Sequence, residues 1–191
     1  NLSAIYSIYN FDVTATETNN KEVFTLKLFS GINDATVKYD FEFLPNPRHH
    51  LRAGLMSTYH TFTPQAVTVK DANFNLSNTK KFYALESALY LEDDYEMNSK
   101  IKMNAGLRLT NYIVGQTVFT KPEPRLNFRY LIKPDLSFKF GYSTMNQYLH
   151  LISNTGAGLP TDLWVPATQL VKPQTSQQIA GKHCFALQVK N

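Results

Sequence analysis

The sequence predicts an all-β protein, an antiparallel up-and-down β-barrel wall, and three observations carry that reading. Apolar and charged residues alternate at period two over long segments. Connections between the segments alternate between tight turns and longer loops. The best segments exceed the five or six residues usual for a strand in a soluble sheet.

The alternation is clearest between Tyr39 and Tyr142. Val37, Tyr39, Phe41 and Phe43 begin it; Leu51, Ala53 and Leu55 follow; then come Tyr83, Leu85, Ser87, Leu89 and Leu91. Ile101, Met103, Ala105, Leu107 and Leu109 form the next series, then Leu126, Phe128, Tyr130 and Ile132, then Leu136, Phe138, Phe140 and Tyr142. None of these is charged. The intervening positions hold Lys38, Asp40, Glu42, Arg52, Glu86, Glu92, Lys102, Arg108, Arg125, Arg129 and Lys139. Successive strand residues point to opposite faces, so each segment has one dry and one wet side.

In chain order the pattern gives about nine strands: 3 to 15, 23 to 30, 36 to 44, 50 to 62, 81 to 95, 100 to 114, 124 to 132, 136 to 149 and 177 to 188. Thr18 to Lys21, Pro45 to Arg48, Met97 to Ser99 and Lys133 to Asp135 are tight turns rich in Pro, Asn, Asp and Ser, residues that favour chain reversal. Ser30 to Ala35, Thr63 to Lys80, Gly115 to Pro122 and Ile152 to Ser176 are the other connections, three of them longer. Tight turns on one edge and long loops on the other are how membrane barrels are arranged. Nine strands would place the chain's ends on opposite edges and leave the sheet open at both sides.

Composition excludes several classes. No run approaches the eighteen or more apolar residues of a membrane helix. The net charge of +4 is modest and mixed along the chain, which gives nucleic-acid binding little support. Cys184 is the single cysteine, so no internal disulfide and no cysteine metal cluster is expected. The first thirty residues carry no secretory signal pattern.

Alternation alone leaves open which way the apolar face points. A soluble barrel or sandwich, acting as a secreted ligand-binding protein or adhesin, would bury it. Strand length favours lipid, as do aromatic residues near strand ends, at Tyr39, Phe43, Tyr59, Phe62, Tyr83, Tyr142 and Tyr148, where an interfacial belt sits.

Several ordered stretches point to a family. Ser30-Gly31-Ile32-Asn33-Asp34 precedes Lys38-Tyr39-Asp40-Phe41, and Tyr90-Leu91-Glu92-Asp93-Asp94-Tyr95 leads to Asn104-Ala105-Gly106-Leu107-Arg108. Pro124-Arg125-Leu126 and Phe128-Arg129-Tyr130 follow, then Gly141-Tyr142-Ser143 and Gln147-Tyr148-Leu149. Over residues 25 to 181 the chain resembles the barrel of TonB-dependent outer-membrane receptors. Asn146 to Lys172, including Leu159 to Pro166, resembles an extracellular loop of the subgroup that often carries a carboxypeptidase-regulatory-like domain. The resemblance implies a barrel of about 22 strands closed around a plug. It also implies import of a scarce ligand such as a metal chelate, glycan or peptide, with energy from a TonB partner, no cofactor and no enzymatic activity. Lipid of the outer membrane and a surface lipoprotein are further partners it implies. On this reading residues 1 to 191 are part of a barrel, with no plug and no TonB-contacting segment, and Lys182 to Leu187 depart from the family.

Individual residues sharpen these expectations. His49 and His50 suggest a metal pair, but neighbours on a strand face opposite ways. The acidic run Glu92, Asp93, Asp94 reads as a lumen ion-pair group partnered by Arg108, Arg125 and Arg129. Ser143, Ser153 and Thr155 lie in no nucleophile motif, and Gly156-Ala157-Gly158 lacks the helix and Lys of a phosphate loop. Trp164, between Pro160 and Pro166, is either a recognition aromatic or a loop-packing one. Gln147, His150 and Trp164 are the candidate substrate-binding residues.

Overall fold

A computed structural model describes residues 1–19, 22–71, 74–154 and 161–185. Its strands are β1 (Leu2–Asn19), β2 (Glu22–Asn46), β3 (His49–Asp71), β4 (Phe74–Thr79), β5 (Phe82–Glu96), β6 (Ile101–Val114), β7 (Thr117–Lys133), β8 (Leu136–Gln147), β9 (Leu149–Asn154), β10 (Thr161–Pro166) and β11 (Gln174–Phe185). One antiparallel sheet runs in the order β1-β2-β3-β5-β6-β7-β8-β11, with β4 extending β3's partner row to make nine strands, while β9 and β10 form a separate hairpin. Each strand pairs antiparallel with the next on this path, β5 following β3 past β4 and β11 following β8 past the β9–β10 hairpin, an up-and-down meander.

Side-chain chemistry explains the tight edge. Asn46 Oδ1 accepts from the backbone N–H of Arg48, and Asn98 Oδ1 accepts from those of Lys100 and Ile101, each at 2.9 Å. Asparagine closes these reversals by standing in for a backbone carbonyl. The β7–β8 turn at Pro134 and Asp135 lies on the same edge.

The other edge differs from expectation in instructive ways. Ser30 to Ala35 is no connection: β2 runs unbroken for 25 residues. Gly, Asn and Asp there read as turn residues, but β1 ladders across the whole segment from Asn19↔Glu22 to Leu2↔Tyr39, and β3 supports its other flank with one irregularity between Phe29 and Gly31. Ladders on both flanks override local turn preference. The β1–β2 reversal consequently falls on the long-hairpin edge. Likewise Thr63 to Lys80 is largely strand, the top of β3 paired with β4, and Gly115 to Pro122 reduces to a two-residue reversal. Gly115 has φ +56°, the left-handed conformation that only glycine adopts without strain. Pro122 and Pro124 sit inside β7 where β8 does not yet pair with it, since that ladder starts at Arg125↔Ser143; strands tolerate proline where one flank carries no ladder.

Residues 136 to 149 divide at Tyr148, and the expected loop 152 to 176 contains β10. The last strand runs from Gln174 to Phe185, while Ala186, Leu187 and Gln188 of the expected strand lie outside the described residues. With β4 and β5 descending in turn, the path makes eight crossings, so Leu2 and Phe185 end on the same edge, not on opposite ones. The earlier odd count came from splitting β2. No pairing joins β1 to β11 among the described residues, so the sheet has two open sides.

The faces separate as the alternation requires. Leu55, Leu89, Leu91 and Leu107 remain 52–58% exposed, whereas Thr58, His60, Ala84, Ala88, Thr110 and Tyr112, on the other face, are buried. The small core lies there too: Phe62, Ala84, Tyr112, Tyr148 and Ala167 pack together, with Phe119 and Trp164 against them. A soluble sheet would bury the leucine face and expose the charged one. This sheet does the reverse.

Candidate functional site

The charged face is the candidate site, and strand register assembles it. At the long-hairpin end, His60 on β3 has Nδ1 2.7 Å from Asp34 Oδ1 on β2 and Nε2 3.7 Å from Glu86 on β5. Arg108 on β6 reaches Glu86 at 3.4 Å and Glu123 on β7 at 3.6 Å, and its Nε donates to Thr110 at 3.3 Å. Glu123 also accepts from the backbone N–H and side-chain amide of Asn146. Three carboxylates and two basic groups thus form one chain of contacts across β2 to β8. The ions are only partly desolvated, except His60 and Glu123, with side chains 5% and 6% exposed.

Aromatic rings close this end. Tyr112 and Tyr148 stack with centroids 4.7 Å apart, His60 lies between Phe62 and Tyr112, and Trp164 meets Tyr9 edge-on at 6.0 Å. The β9–β10 hairpin delivers Trp164, folding over the charged face to touch β2 and β3.

Nearer the tight-turn edge a second network forms. Arg52 on β3 donates to Glu92 and, at 2.6 Å, to Asp94 on β5. Asn104 on β6 donates to the same two carboxylates at 2.9 and 2.6 Å. Tyr90 donates its hydroxyl to Asp40, which Lys38 also meets at 2.9 Å. Gly54, between them, is required by close approach: a Cβ there would lie 2.6 Å from both the Tyr90 ring and the Tyr39 carbonyl oxygen. Here the sheet curls, and a cavity of about 570 Å³ is bordered by the β2–β3 turn and by β8 and lined by His50, Asp94, Glu96, Lys102, Arg129 and Lys139.

The residues singled out from sequence now have places. His49 pairs with Asp93 at 2.7 Å and stacks on Tyr95, while His50 faces Glu42 at 3.7 Å; the two do not converge. The acidic run is partnered by Arg52, Asn104 and His49 instead of Arg108, Arg125 and Arg129, because β3 and β6 flank β5 and register puts Arg52 opposite Glu92. Gln147 is exposed and donates to the Leu149 carbonyl at 2.7 Å. His150 is buried, and Trp164 packs in the aromatic group. His150 pairs with Val165 and Leu151 with Trp164, so His150 and Trp164 sit on opposite faces of the hairpin, and the three candidates do not form one cluster. Ser143 lies on β8 opposite Gln178. The side chain of Ser153 and all of Thr155 and Gly156 to Gly158 lie outside the described residues.

Sequence reading passed over His60 and Tyr112, and placed Arg52 on the charged face without pairing it with Glu92. The signal was present in part, since aromatic residues at the parity otherwise reserved for charge mark where something packs against that face.

A continuous strand path with its apolar face outward and ion pairs inward is the wall of a membrane barrel. The TonB dependent receptor-like β-barrel family matches residues 1–180. This chain belongs to that family. It is an outer-membrane β-barrel protein of a transporter family, not an enzyme family, so the exposed leucine face is the lipid side and the charged face the lumen. The solved NanC porin, in a rhombohedral crystal form, aligns with 97% of this chain and 98% of its own at 13% identity and a TM-score of 0.25, a likeness too weak to decide anything further. No curated protein matches the chain.

Proposed function

We propose that this chain forms wall and loop segments of a receptor that imports a scarce ligand, a metal chelate, glycan or peptide, across the outer membrane with energy from TonB. The observation that supports it most is the lumen face itself. Its charges are paired from Asp34 and Asp40 on β2 to Glu123 on β7, which gives a water-compatible, fixed surface there, while the aromatic hairpin narrows one end. On this reading residues 1 to 191 are part of a larger barrel, TonB acts through a plug outside this sequence, and a surface lipoprotein is a partner at the long-hairpin edge. That edge faces outside the cell and the turns at 47–48, 97–100 and 134–135 face the periplasm. Gln147, His150 and Trp164 belong to the outer end, where ligand would arrive.

Uptake of radiolabelled ferric chelates, oligosaccharides and oligopeptides by cells with and without a functional TonB tests the proposal. Uptake of one class that needs both this protein and TonB is the expected result. Uptake of the same solutes unaffected by loss of TonB would leave a passive pore and overturn it. Epitope tags after Ala72 and after Gly156 should be read on intact cells; tags accessible only after permeabilisation would invert the orientation.

A further inference from the structure

A polar row crosses the lipid face. Register sets Ser57 opposite Ser87, Ser87 opposite Asn111 and Asn111 opposite Thr120, on β3, β5, β6 and β7. Large apolar side chains stand on either side of it: Leu55, Leu89 and Leu109 toward the tight-turn edge, and Tyr59, Leu85 and Ile113 toward the long hairpins. Ser57 and Ser87 partner one another at 3.1 Å. Asn111 differs, because its Oδ1 is shielded from solvent and has no hydrogen-bond partner among the described residues. In hydrocarbon no water can make up the lost bond, so a carboxamide left in that state is costly.

Small side chains between two taller rows leave a groove. It has a volume of about 510 Å³ and runs from Ser57, Ser87 and Asn111 over Leu55, Leu89 and Leu109. Ser57 lies about 26 Å along β3 from His49, the strand's first residue, which at a tilt near 40° is about 20 Å up an apolar band about 25 Å tall. Tyr59 and Tyr83 stack just beyond it, with centroids 6.0 Å apart, as aromatic residues do at a membrane interface. The polar row therefore sits where acyl chains join their head groups, and the leucines descend from it toward the midplane. We propose that this groove binds one acyl lipid of the outer leaflet whose chain is attached through an amide, with the linkage on Asn111 and the chain over Leu55, Leu89 and Leu109. Three features select this occupant. The groove is concave, so it receives a chain and not the convex wall of a second barrel. A carboxamide offers a donor and an acceptor together, and a secondary amide answers both, whereas an ester has no donor for Asn111 Oδ1. The lining carries no charge, so the linkage and not the head group decides what fits. The site requires only the register and the lipid face; its placement in the outer leaflet rests on the orientation proposed above, which the epitope tags test separately.

The intact protein, purified in mild detergent and mixed with equal amounts of sphingomyelin and phosphatidylcholine, provides the test. Both probes carry a phosphocholine head group, and they differ where the chain is attached, by an amide in one and an ester in the other. Native mass spectrometry should show a first bound lipid about threefold richer in sphingomyelin, the scale of one hydrogen bond inside a membrane. Asn111→Leu should bring that ratio to one while a lipid still binds, and Ser87→Leu, which fills the groove, should remove the first adduct of either lipid. Leu126→Ala, on the lipid face nearer the tight-turn edge, should keep the parent ratio. If Asn111→Leu fails to assemble, judged by heat-modifiable mobility, Asn111→Val gives the same reading. Lipid carried through purification from native outer membranes should keep an acyl chain through mild alkali, which cleaves esters and spares amides. The assignment is overturned if the parent shows no preference, if the preference survives loss of the Asn111 carboxamide, or if the carried lipid loses every chain in alkali. Recovery of the amide on a lipid-anchored protein instead of a free lipid would overturn it as well.

Discussion

The β1–β5 half of the wall and the β6–β11 half are built from the same alternation, yet they handle charge in opposite ways. Residues 1–98 carry twelve Asp and Glu against eight Lys and Arg, and residues 99–191 reverse the balance. In the first half the charges converge: Arg52 holds Glu92 and Asp94, Tyr90 holds Asp40, and His60 links Asp34 to Glu86. In the second half Arg125, Arg129, Lys139 and Lys182 stand without ion pairs among the described residues. A lumen wall needs polarity on its inner face, and polarity can be supplied by pairs complete in themselves or by single charges facing water. Both solutions occur here within one sheet.

The largest effect tests what the two halves share, the lipid face. Arg at Leu107 should destabilise the wall by about 2–4 kcal/mol if the position lies near the bilayer centre, and assembly, read by heat-modifiable mobility of outer-membrane protein, should fail. Arg at Asn104, on the lumen side beside Glu92 and Asp94, should assemble. Equal behaviour of the two variants would refute the assignment of faces.

Gly54→Ala strikes the paired half where it is tightest. The new methyl meets both the Tyr90 ring and a backbone oxygen at 2.6 Å, so Tyr90 has to move and its hydroxyl leaves Asp40. A loss of about 1–3 kcal/mol is expected from overpacking of this kind, measured by urea unfolding in detergent. Gly141→Ala, on the open half, meets a single side-chain atom, Asn127 Oδ1, at 3.1 Å and should change little.

The same contrast shows what could be read without the structure. Alternation sorts residues onto two faces, Leu85 and Leu107 on one and Lys139 on the other, and strand length with the aromatic residues at strand ends favoured lipid for the apolar one. Which charge meets which depends on register, and register follows from where strands begin. Reading Gly31-Ile32-Asn33-Asp34 as a turn split β2 and moved the first reversal to the wrong edge, because local residue preference was weighed without the two ladders that flank it. Arg52 was passed over as partner of Glu92 for a related reason. The loop 63–80 hid the fact that β3 and β5 are neighbours with Arg52 directly opposite Glu92. Trp164 was legible as unusual, but its packing on Tyr9 depends on how the hairpin folds back, which no periodicity records.

Arg52→Ala comes next in size. It leaves Glu92 and Asp94 on the same face with only Asn104 between them, and about 1–2 kcal/mol should be lost at low ionic strength, the range for a partly exposed charged hydrogen-bond donor. The deficit should shrink in 0.5 M salt as the screening length falls below about 5 Å. A deficit independent of salt would mean that packing of the Arg52 stem, not its charge, holds the site.

Lys139→Gln is expected to have the smallest effect and the opposite sign. In the purified protein in detergent, removing the middle of three cations that have no ion pair among the described residues relieves repulsion from both Arg129 and Lys182, and stability should rise by about 0.2–1 kcal/mol. Salt should erase that gain, since it screens the repulsion in the parent. If Lys139→Gln loses stability, or gains it equally in 0.5 M salt, repulsion along the row Arg129, Lys139, Lys182 is not what distinguishes the basic half from the paired one.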